Sequence, residues 1–299
     1  MVLFERVGVV GAGLMGAGIA EVCAAAGCAV RIREVSEPAL EAGMARIDAS
    51  LSRAVERGRR SEGEKAEIAG RIHGTLDLAD LSGCGAVIEA VVEDLATKRE
   101  VLRALDDVCA DAAFLATNTS SLSVTELGAA TGRPERFVGM HFFNPVPVMR
   151  LVEVIRSPVT ADATYQRACA FGEQLGKTVI RTGDAPGFVV NRLLVPYLLD
   201  AVRAVEEGIG SVPDIDEGMR LGCGHPMGPL TLLDFVGLDT TCAIAEIMVG
   251  ELHERRFAPP PLLKRMVLAG LTGRKSGRGF YDYAVDPPRP LPGLGPARP

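Results

Sequence analysis

The sequence lacks the cysteine patterns of disulfide-bonded and zinc-binding proteins. It has seven cysteines, an odd number, with no C-x-x-C pair and none beside a histidine at the spacing of zinc ligands. This distribution is typical of free thiols in a reducing cytosol. We therefore expect a cytoplasmic protein without structural disulfides and without a metal site.

Long apolar runs and an excess of basic residues are also missing. No stretch approaches the ~18 apolar residues of a membrane span, and a strand-like run begins at residue 6, which leaves no room for a signal peptide. The formal net charge is −6, which argues against nucleic acid or an anionic membrane as the main partner.

The first 34 residues have the pattern of a βαβ unit. A β-branched run over 6–10 ends in glycines, a helix rich in small residues follows over 14–27, and AVRIRE over 29–34 predicts a second, parallel strand. The loop between the first strand and the helix has the spacing G-x-G-x-x-G, which in this context is typical of dinucleotide binding. The residues expected to hold the pyrophosphate are Gly11, Ala12, Gly13, Leu14, Met15 and Gly16.

An acidic residue at the end of the second strand is expected to bind the adenosine ribose. Glu34 stands 23 residues after Gly11 and occupies this position. A carboxylate repels a 2′-phosphate, so NAD is favoured over NADP. Arg31 and Arg33 flank Glu34, however, and leave the use of NADP open.

The rest of the chain predicts an α/β fold followed by helices. Residues 37–72 predict a charged helical hairpin inserted after the second strand. Strands and helices then alternate to about residue 183, which indicates a Rossmann-type doubly wound sheet. Strand patterns stop there, and five helical segments predict an all-α domain. The expected parts are a nucleotide-binding domain over 1–184, a helical domain over 185–283 and a Pro- and Gly-rich disordered tail over 284–299.

Seven motifs resemble, in order from about residue 5 to 283, the (S)-3-hydroxyacyl-CoA dehydrogenases. They are GAGLMGAGIA, VIEAVVEDLATK, ATNTSSLSVTEL, RFVGMHFFNPVPVMRLVEVI, GDAPGFVVNRLLVPYLLDAVRAVEEG, GHPMGPLTLLDFVGLD and GRKSGRGFYDY. The bacterial 3-hydroxybutyryl-CoA branch is closest in length. The resemblance implies NAD as cofactor, an acyl-CoA substrate and a homodimer formed through the helical domain.

The resemblance implies that His141 is the general base and Glu153 its partner. A neutral imidazole can take the proton of a 3-hydroxyl group while hydride leaves C3 for nicotinamide. A neighbouring carboxylate would then stabilise the imidazolium ion and fix the ring tautomer. The two residues fall on strand segments joined only by NPVPVMR, so we expect them to touch. The alternative is a histidine that merely fills the core.

Further polar residues match the family's site. Ser120 follows a predicted strand end and is implied to contact the reacting oxygen or the nicotinamide ribose; the alternative is a helix N-cap, a role that Ser123 in SVTE already fills. Asn191 is implied to bind a substrate oxygen, or alternatively is a structural amide. The other implied cofactor positions are Glu93, Lys98, Asn144 and Lys275, of which Lys98 also touches substrate. Their alternatives are an exposed helix start for Glu93 and Lys98, and a surface lysine for Lys275.

The coenzyme A end needs cationic groups on an acidic protein. Arg53 and Arg57 are four residues apart and share a helix face in the predicted hairpin. The resemblance places CoA against this hairpin near Ser50 and Arg57, with arginine where the family often has lysine. Arginine still binds phosphate, often with two hydrogen bonds. The alternative is a solvated helix face.

The leading hypothesis is NAD-dependent oxidation of short (S)-3-hydroxyacyl-CoA, such as 3-hydroxybutyryl-CoA, and the reverse reaction. One alternative keeps the chemistry but takes the hydroxyacyl group from an acyl carrier protein in polyketide-precursor biosynthesis. The related sugar-acid dehydrogenase and lens-crystallin branch usually lacks the HFFNP form. A non-catalytic NAD-binding structural protein is expected to lose the His or the Glu, and both are present here.

Overall fold

The computed structural model describes residues 3–109 and 114–294, and it divides into two compact units between Phe188 and Val189. The sequence placed the boundary at 184 and 185, at the end of the last predicted strand. Within the described ranges no helix has both the length and the apolar content required to cross a membrane.

The first unit alternates strands and helices around one sheet. In chain order its elements are β1 Arg6–Val10, α1 Leu14–Ala25, β2 Ala29–Arg33, α2 Glu37–Glu56, α3 Glu62–Gly70, β3 Ile72–Thr75, β4 Ala86–Glu89, α4 Leu95–Val108, β5 Phe114–Thr117, α5 Val124–Gly128, β6 Phe137–Phe142, β7 Leu151–Arg156, α6 Asp162–Gln174 and β8 Thr178–Gly183.

The described strands of this unit form an eight-stranded sheet in the order β3-β2-β1-β4-β5-β6-β7-β8. Neighbours are parallel except β6 and β7. The strand order reverses between β1 and β4, where ligands bind in doubly wound folds. The predicted α/β class and the βαβ start are therefore confirmed.

Two features of this sheet were not predicted. The edge strand β3 is short and only Ile72 of it is buried, so its sequence IHGT has no periodic apolar signal. The antiparallel pairing of β6 with β7 follows from their short connection over 143–150. A parallel pair needs a crossover of a dozen or more residues.

Helix α1 packs closely against its neighbours because many of its residues are small. Nine of its twelve residues are buried. A side chain at Gly18 would place Cβ 2.8 Å from Cβ of Val146, in the connection between β6 and β7. This close approach brings the glycine loop, α1 and the β6–β7 connection into one compact region.

The second unit is mainly helical, as predicted. Its described elements are α7 Val190–Glu206, α8 Val212–Gly222, α9 Pro229–Val236, α10 Leu238–Leu252, α11 Pro261–Leu268, β9 Tyr281–Asp282 and β10 Arg289–Pro290. The two short strands pair antiparallel, although the sequence predicted a disordered tail over 284–299. Strands of two residues leave no alternating pattern to read. Residues 295–299 of that predicted tail lie outside the described residues.

Two buried aspartates fasten the C-terminal segment of the second unit. Asp216 accepts hydrogen bonds from two backbone N–H groups at the start of α9 (2.7 and 3.0 Å) and from the Tyr281 hydroxyl (2.9 Å). Asp234 accepts from the N–H groups of Phe280 (2.8 Å) and Tyr281 (2.9 Å) and from the Tyr283 hydroxyl (2.9 Å). Burial raises the pKa of Asp234 in spite of these bonds.

Candidate active site

His141 and Glu153 stand directly opposite each other on β6 and β7. The imidazole Nδ1 lies 2.7 Å from the carboxylate Oε2; His141 is 4% exposed and Glu153 is fully buried. Because an ionised carboxylate can only accept, Nδ1 carries the proton and donates it to Glu153. The neutral ring then presents Nε2 as an acceptor. The expected contact between the two residues is present.

Ser120 lies on the other side of the ring. Its Oγ is 3.1 Å from Nε2 of His141, and it stands in the turn that follows β5. Ser123, three residues later, caps α5 by accepting the Glu126 N–H (3.2 Å). Glu153, His141 and Ser120 thus form a continuous chain of polar contacts that ends on a hydroxyl group.

Two phenylalanine rings confine the imidazole. The ring centroids of Phe143 and Phe188 lie 4.5 and 5.6 Å from that of His141. Phe188 is buried and has φ +50°, a conformation that non-glycine residues seldom adopt. The apolar walls limit the ring to the orientation in which Nδ1 meets the carboxylate.

Glu93 organises the turn that carries Ser120. Its Oε1 accepts hydrogen bonds from the Thr119 hydroxyl (2.5 Å), the Ser120 N–H (2.8 Å) and both the N–H and the hydroxyl of Ser121 (3.2 Å each). Burial favours the neutral acid, but the Lys98 ammonium group and these donors outweigh it, and the pKa of Glu93 is lowered. Glu93 is therefore an anionic acceptor at the base of the turn.

Lys98 is buried, contrary to the alternative of an exposed helix start. It is 1% exposed, and its Nζ lies 2.7 Å from Oε1 of Glu89 and 3.3 Å from Oε2 of Glu93. Sequence reasoning missed Glu89, the last residue of β4. A carboxylate that ends an otherwise apolar strand, a few residues before a lysine in VIEAVVEDLATK, was the available signal.

The glycine loop has the shape that a dinucleotide requires. Gly11 has φ +96°, and a Cβ there would lie 2.6 Å from the Ala90 carbonyl oxygen; a Cβ on Gly16 would lie 1.8 Å from the Gly11 oxygen. Beside Gly13, in contrast, a Cβ would meet nothing within 4 Å. Only glycine fits at positions 11 and 16, and Gly13 leaves open space beside the backbone.

Glu34 is joined to this loop. Its Oε1 accepts the Ala12 N–H at 2.6 Å, which places an anion beside the predicted pyrophosphate site. Helix α1 begins after Gly13 without a side-chain cap, so its first N–H groups can meet phosphate. Leu14 is exposed and Met15 is half-buried at the start of the helix. These residues fit NAD, with a carboxylate for ribose hydroxyls and open backbone for the phosphates.

Part of the predicted CoA site lines a small cavity of about 170 Å³ between α1, α2 and the β6–β7 connection. Ser50, Arg53 and Asn144 line it, together with Glu21. Arg57 is exposed at the C-terminal end of α2 and is not among the lining residues. Burial raises the pKa of Glu21, and its Oε2 has no hydrogen-bond partner in the described part of the chain.

Sequence reasoning also missed two residues, one that holds β6 and one that holds the β6–β7 connection. Asn118 accepts the Phe142 N–H through Oδ1 at 2.9 Å. Lys177 donates to the carbonyl oxygens of Val146 (2.5 Å) and Met149 (2.8 Å) in the β6–β7 connection, and burial lowers the pKa of its ammonium group. Asn118 lies within the motif ATNTSSLSVTEL, whereas nothing in the sequence indicated that Lys177 is buried.

The remaining predicted residues belong to the second unit. Asn191 is the second residue of α7 and is half-buried. Lys275 is half-exposed and forms an ion pair with Asp239 at 2.6 Å. Their roles toward substrate and cofactor stay predictions.

Two family models together match almost the whole chain. Residues 6–185 match the 3-hydroxyacyl-CoA dehydrogenase NAD binding domain, and residues 187–283 match the 3-hydroxyacyl-CoA dehydrogenase C-terminal domain. A 3-hydroxybutyryl-CoA dehydrogenase of Mycobacterium tuberculosis is 53% identical over 281 residues, which cover 93% of this chain and 98% of the relative.

Solved structures agree with these matches. The crystal structure of M. tuberculosis FadB2 has a TM-score of 0.93 at 53% identity and covers 94% of this chain and 99% of its own. The (S)-3-hydroxybutyryl-CoA dehydrogenase PaaH1 from Ralstonia eutropha has a TM-score of 0.90 at 45% identity, with 94% and 99% covered.

Proposed function

Because the chain belongs to the 3-hydroxyacyl-CoA dehydrogenase family, we propose that it oxidises (S)-3-hydroxyacyl-CoA to 3-ketoacyl-CoA with NAD, and catalyses the reverse reaction. Short thioesters such as 3-hydroxybutyryl-CoA are its substrates, in line with the names of its relatives. The observation that carries the proposal is the buried His141–Glu153 pair, whose ring presents an acceptor nitrogen beside Ser120.

His141 acts as the general base in oxidation and as the general acid in reduction. Donation of Nδ1–H to Glu153 leaves the lone pair of Nε2 ready to take the proton of the 3-hydroxyl group. The imidazolium ion that forms stays 2.7 Å from the buried carboxylate, which offsets the cost of a positive charge in an apolar surrounding. In reduction the same nitrogen returns its proton to the oxygen of the keto group.

Ser120 contacts the reacting oxygen. Its hydroxyl already lies 3.1 Å from the nitrogen that must meet that oxygen, so a substrate oxygen bound to Nε2 comes within reach of Oγ. Asn191 is a second ligand for the substrate oxygen, an assignment supported by the resemblance.

The glycine loop 11–16 and Glu34 hold NAD, with Glu93, Lys98, Asn144 and Lys275 as further contacts. When bound, NAD supplies the acceptor for the hydride that leaves C3. The Glu34 carboxylate next to Ala12 N–H favours ribose hydroxyls over a 2′-phosphate, which supports NAD over NADP. Ser50, Arg53 and Arg57 bind the CoA end, an assignment supported by the cavity beside Ser50 and Arg53.

The protein is a cytoplasmic homodimer. All seven cysteines lie in the described residues and none forms a disulfide, which supports a reducing compartment. Large apolar side chains on the helical unit, such as Leu193, Leu221 and Leu268, are more than half exposed, which supports a dimer through this unit. The carrier-protein and non-catalytic alternatives are not favoured, since the relatives are named for CoA thioesters.

The experiment is a turnover assay that follows absorbance of the reduced nicotinamide. We expect oxidation of NADH with acetoacetyl-CoA, a weaker rate with NADPH, and a lower rate with the same acyl group on a carrier protein. Binding of NADH without turnover of any ketoacyl thioester would contradict the proposal. If the pure protein sediments as a monomer, the proposed dimer is wrong and the proposed reaction is unaffected.

A further inference from the structure

Glu89 is a fully buried carboxylate that the mechanism above does not use. It ends β4, next to the reversal of strand order between β1 and β4. Its Oε1 accepts from Lys98 Nζ and the Val91 N–H (2.7 Å each), and its Oε2 accepts from the Thr117 hydroxyl (2.7 Å). An ionised carboxylate at such depth is costly unless it is paired and fully hydrogen-bonded, and here every oxygen has a donor.

The lysine that pairs with Glu89 is shared with the site. Lys98 lies 2.7 Å from Glu89 and 3.3 Å from Glu93, so one buried cation serves two carboxylates. The shorter contact is to Glu89, which therefore fixes where the ammonium group sits. The ammonium group attracts Oε2 of Glu93, so its position also sets the position of the Glu93 carboxylate.

Glu93 connects the Lys98 ammonium group to the turn after β5. Its other oxygen accepts the backbone N–H of Ser120 at 2.8 Å, and the Ser120 hydroxyl lies 3.1 Å from His141 Nε2. Glu89 also holds the start of the same turn, because its carbonyl oxygen accepts the Asn118 N–H at 2.8 Å. Side chain and main chain of Glu89 thus converge on the segment that presents Ser120.

We propose that Glu89 is a positioning residue: through Lys98 and Glu93 it holds the turn that places the Ser120 hydroxyl against His141. The inference rests on the proposed function, since it assigns Ser120 to the reacting oxygen. Without the charge of Glu89, Lys98 is drawn fully to Glu93, and Glu93 can no longer hold the turn in its present place. The loss that depends on Ser120 then falls on kcat, and any change in KM through Lys98 and Glu93 does not depend on Ser120.

The test is a double-mutant cycle of Glu89→Gln and Ser120→Ala. Glutamine keeps the size and one acceptor oxygen and removes the charge. E89Q alone should lower kcat by about tenfold, the scale of a sub-ångström misplacement, and should have little further effect in S120A, because residues that act through one contact are not additive. If E89Q leaves kcat unchanged, or lowers it as much in S120A as in the wild type, the proposal is wrong.

The matched control is Asp106→Asn, which removes the carboxylate of another ion pair in the same unit. Asp106 lies 2.8 Å from Arg133, and both are less than one-fifth exposed. D106N should lower the melting temperature and leave kcat unchanged. If E89Q does not fold, Thr117→Val removes one hydrogen bond to Glu89 and should give a smaller loss of kcat with the same dependence on Ser120.

A second readout does not need turnover. The chain has four histidines, so the ring resonances of His141 can be assigned by comparison with H141Q. We expect E89Q and S120A to shift them in the same direction and D106N to leave them in place. An inactive wild type would refute the proposed function, whereas unshifted His141 resonances in E89Q would refute only the role of Glu89.

Discussion

Both units bury carboxylates, but they satisfy them with different partners. In the first unit Glu153 meets an imidazole and Glu89 meets an ammonium group. In the second, Asp216 and Asp234 meet backbone N–H groups and tyrosine hydroxyls. An imidazole changes its protonation near neutral pH, whereas an amide does not. The first arrangement can therefore move a proton, and the second can only fasten chain segments together.

The tyrosines of the second network strengthen this contrast. Burial and the neighbouring carboxylates, Asp216 for Tyr281 and Asp234 for Tyr283, raise the pKa of both phenols well above the usual range. Both phenols stay protonated and donate at any ordinary pH. Whether a buried carboxylate takes part in proton transfer or only fastens the chain thus depends on whether its partner exchanges a proton near neutral pH.

The largest effect is expected for His141→Gln. Loss of a general base should lower kcat by about 10²–10⁴-fold. The glycine loop and Glu34 are untouched, so NADH should still bind, which fluorescence of the bound nicotinamide can measure. A variant that keeps full activity would show that the buried pair of the first unit is not the proton-transfer site.

Asp216→Ala should show the opposite pattern. It leaves the donors at the start of α9 and on Tyr281 without their acceptor, which should cost about 3 kcal/mol of unfolding free energy. The measurement is urea denaturation, with kcat determined on the folded protein as the control. A large loss of kcat at unchanged stability would contradict a fastening role for the second network.

Acidification should separate the two networks. The pKa of Glu93 is lowered in the fold, so its contribution is present above the unfolded pKa and is lost as pH falls through the folded pKa. The pKa of Asp234 is raised, so its contribution is present below the unfolded pKa and is lost as pH rises through the folded pKa. From neutral pH down to about 4, the unfolded carboxyl range, hydrogen-exchange protection should rise at the Phe280 N–H and stay constant at the Ser120 N–H. Protection at the Ser120 N–H should fall only when the pH is lowered below about 4. A parallel change at both would contradict the distinction.

The smallest effect is expected for Glu21→Gln, which tests a buried acid whose Oε2 has no hydrogen-bond partner among the described residues. Burial raises the pKa of Glu21, so its contribution to stability is lost as pH rises through the folded pKa. Glutamine should therefore increase stability at neutral pH by about 1 kcal/mol, and the gain should disappear near pH 4. Thermal denaturation at the two pH values is the measurement, and a gain independent of pH would mean that charge is not the cause.

The parts of this molecule that the sequence predicted are those fixed by local pattern. The glycine spacing, the strand that precedes it and Glu34 lie within one βαβ unit, and the short link from His141 to Glu153 requires their strands to be neighbours. The edge strand Ile72–Thr75 was not predicted because a single buried residue gives no alternating apolar pattern. The two-residue strands at 281–282 and 289–290 are likewise too short to show such a pattern.

Burial of individual polar side chains was the other part that could not be predicted. Lys98 and Glu89 belong to a quoted motif, yet only the packing of α4 beside β4 takes them out of water. The buried ammonium group of Lys177 likewise donates to two carbonyl oxygens that lie about 30 residues before it in the chain. Such contacts depend on tertiary structure. For Glu89 the local sequence offers only a carboxylate at the end of an apolar strand, and for Lys177 it offers no signal.

The antiparallel pairing of β6 with β7 has a consequence for how this enzyme can vary. His141 and Glu153 lie at the two ends of a segment of thirteen consecutive residues, 141–153, so one short stretch of sequence encodes both. Insertions within the linker can be absorbed while the ladder keeps its alignment. A slip of one residue between the strands would turn the Glu153 side chain to the opposite face of the sheet, and the dyad would be lost without any change in its residues.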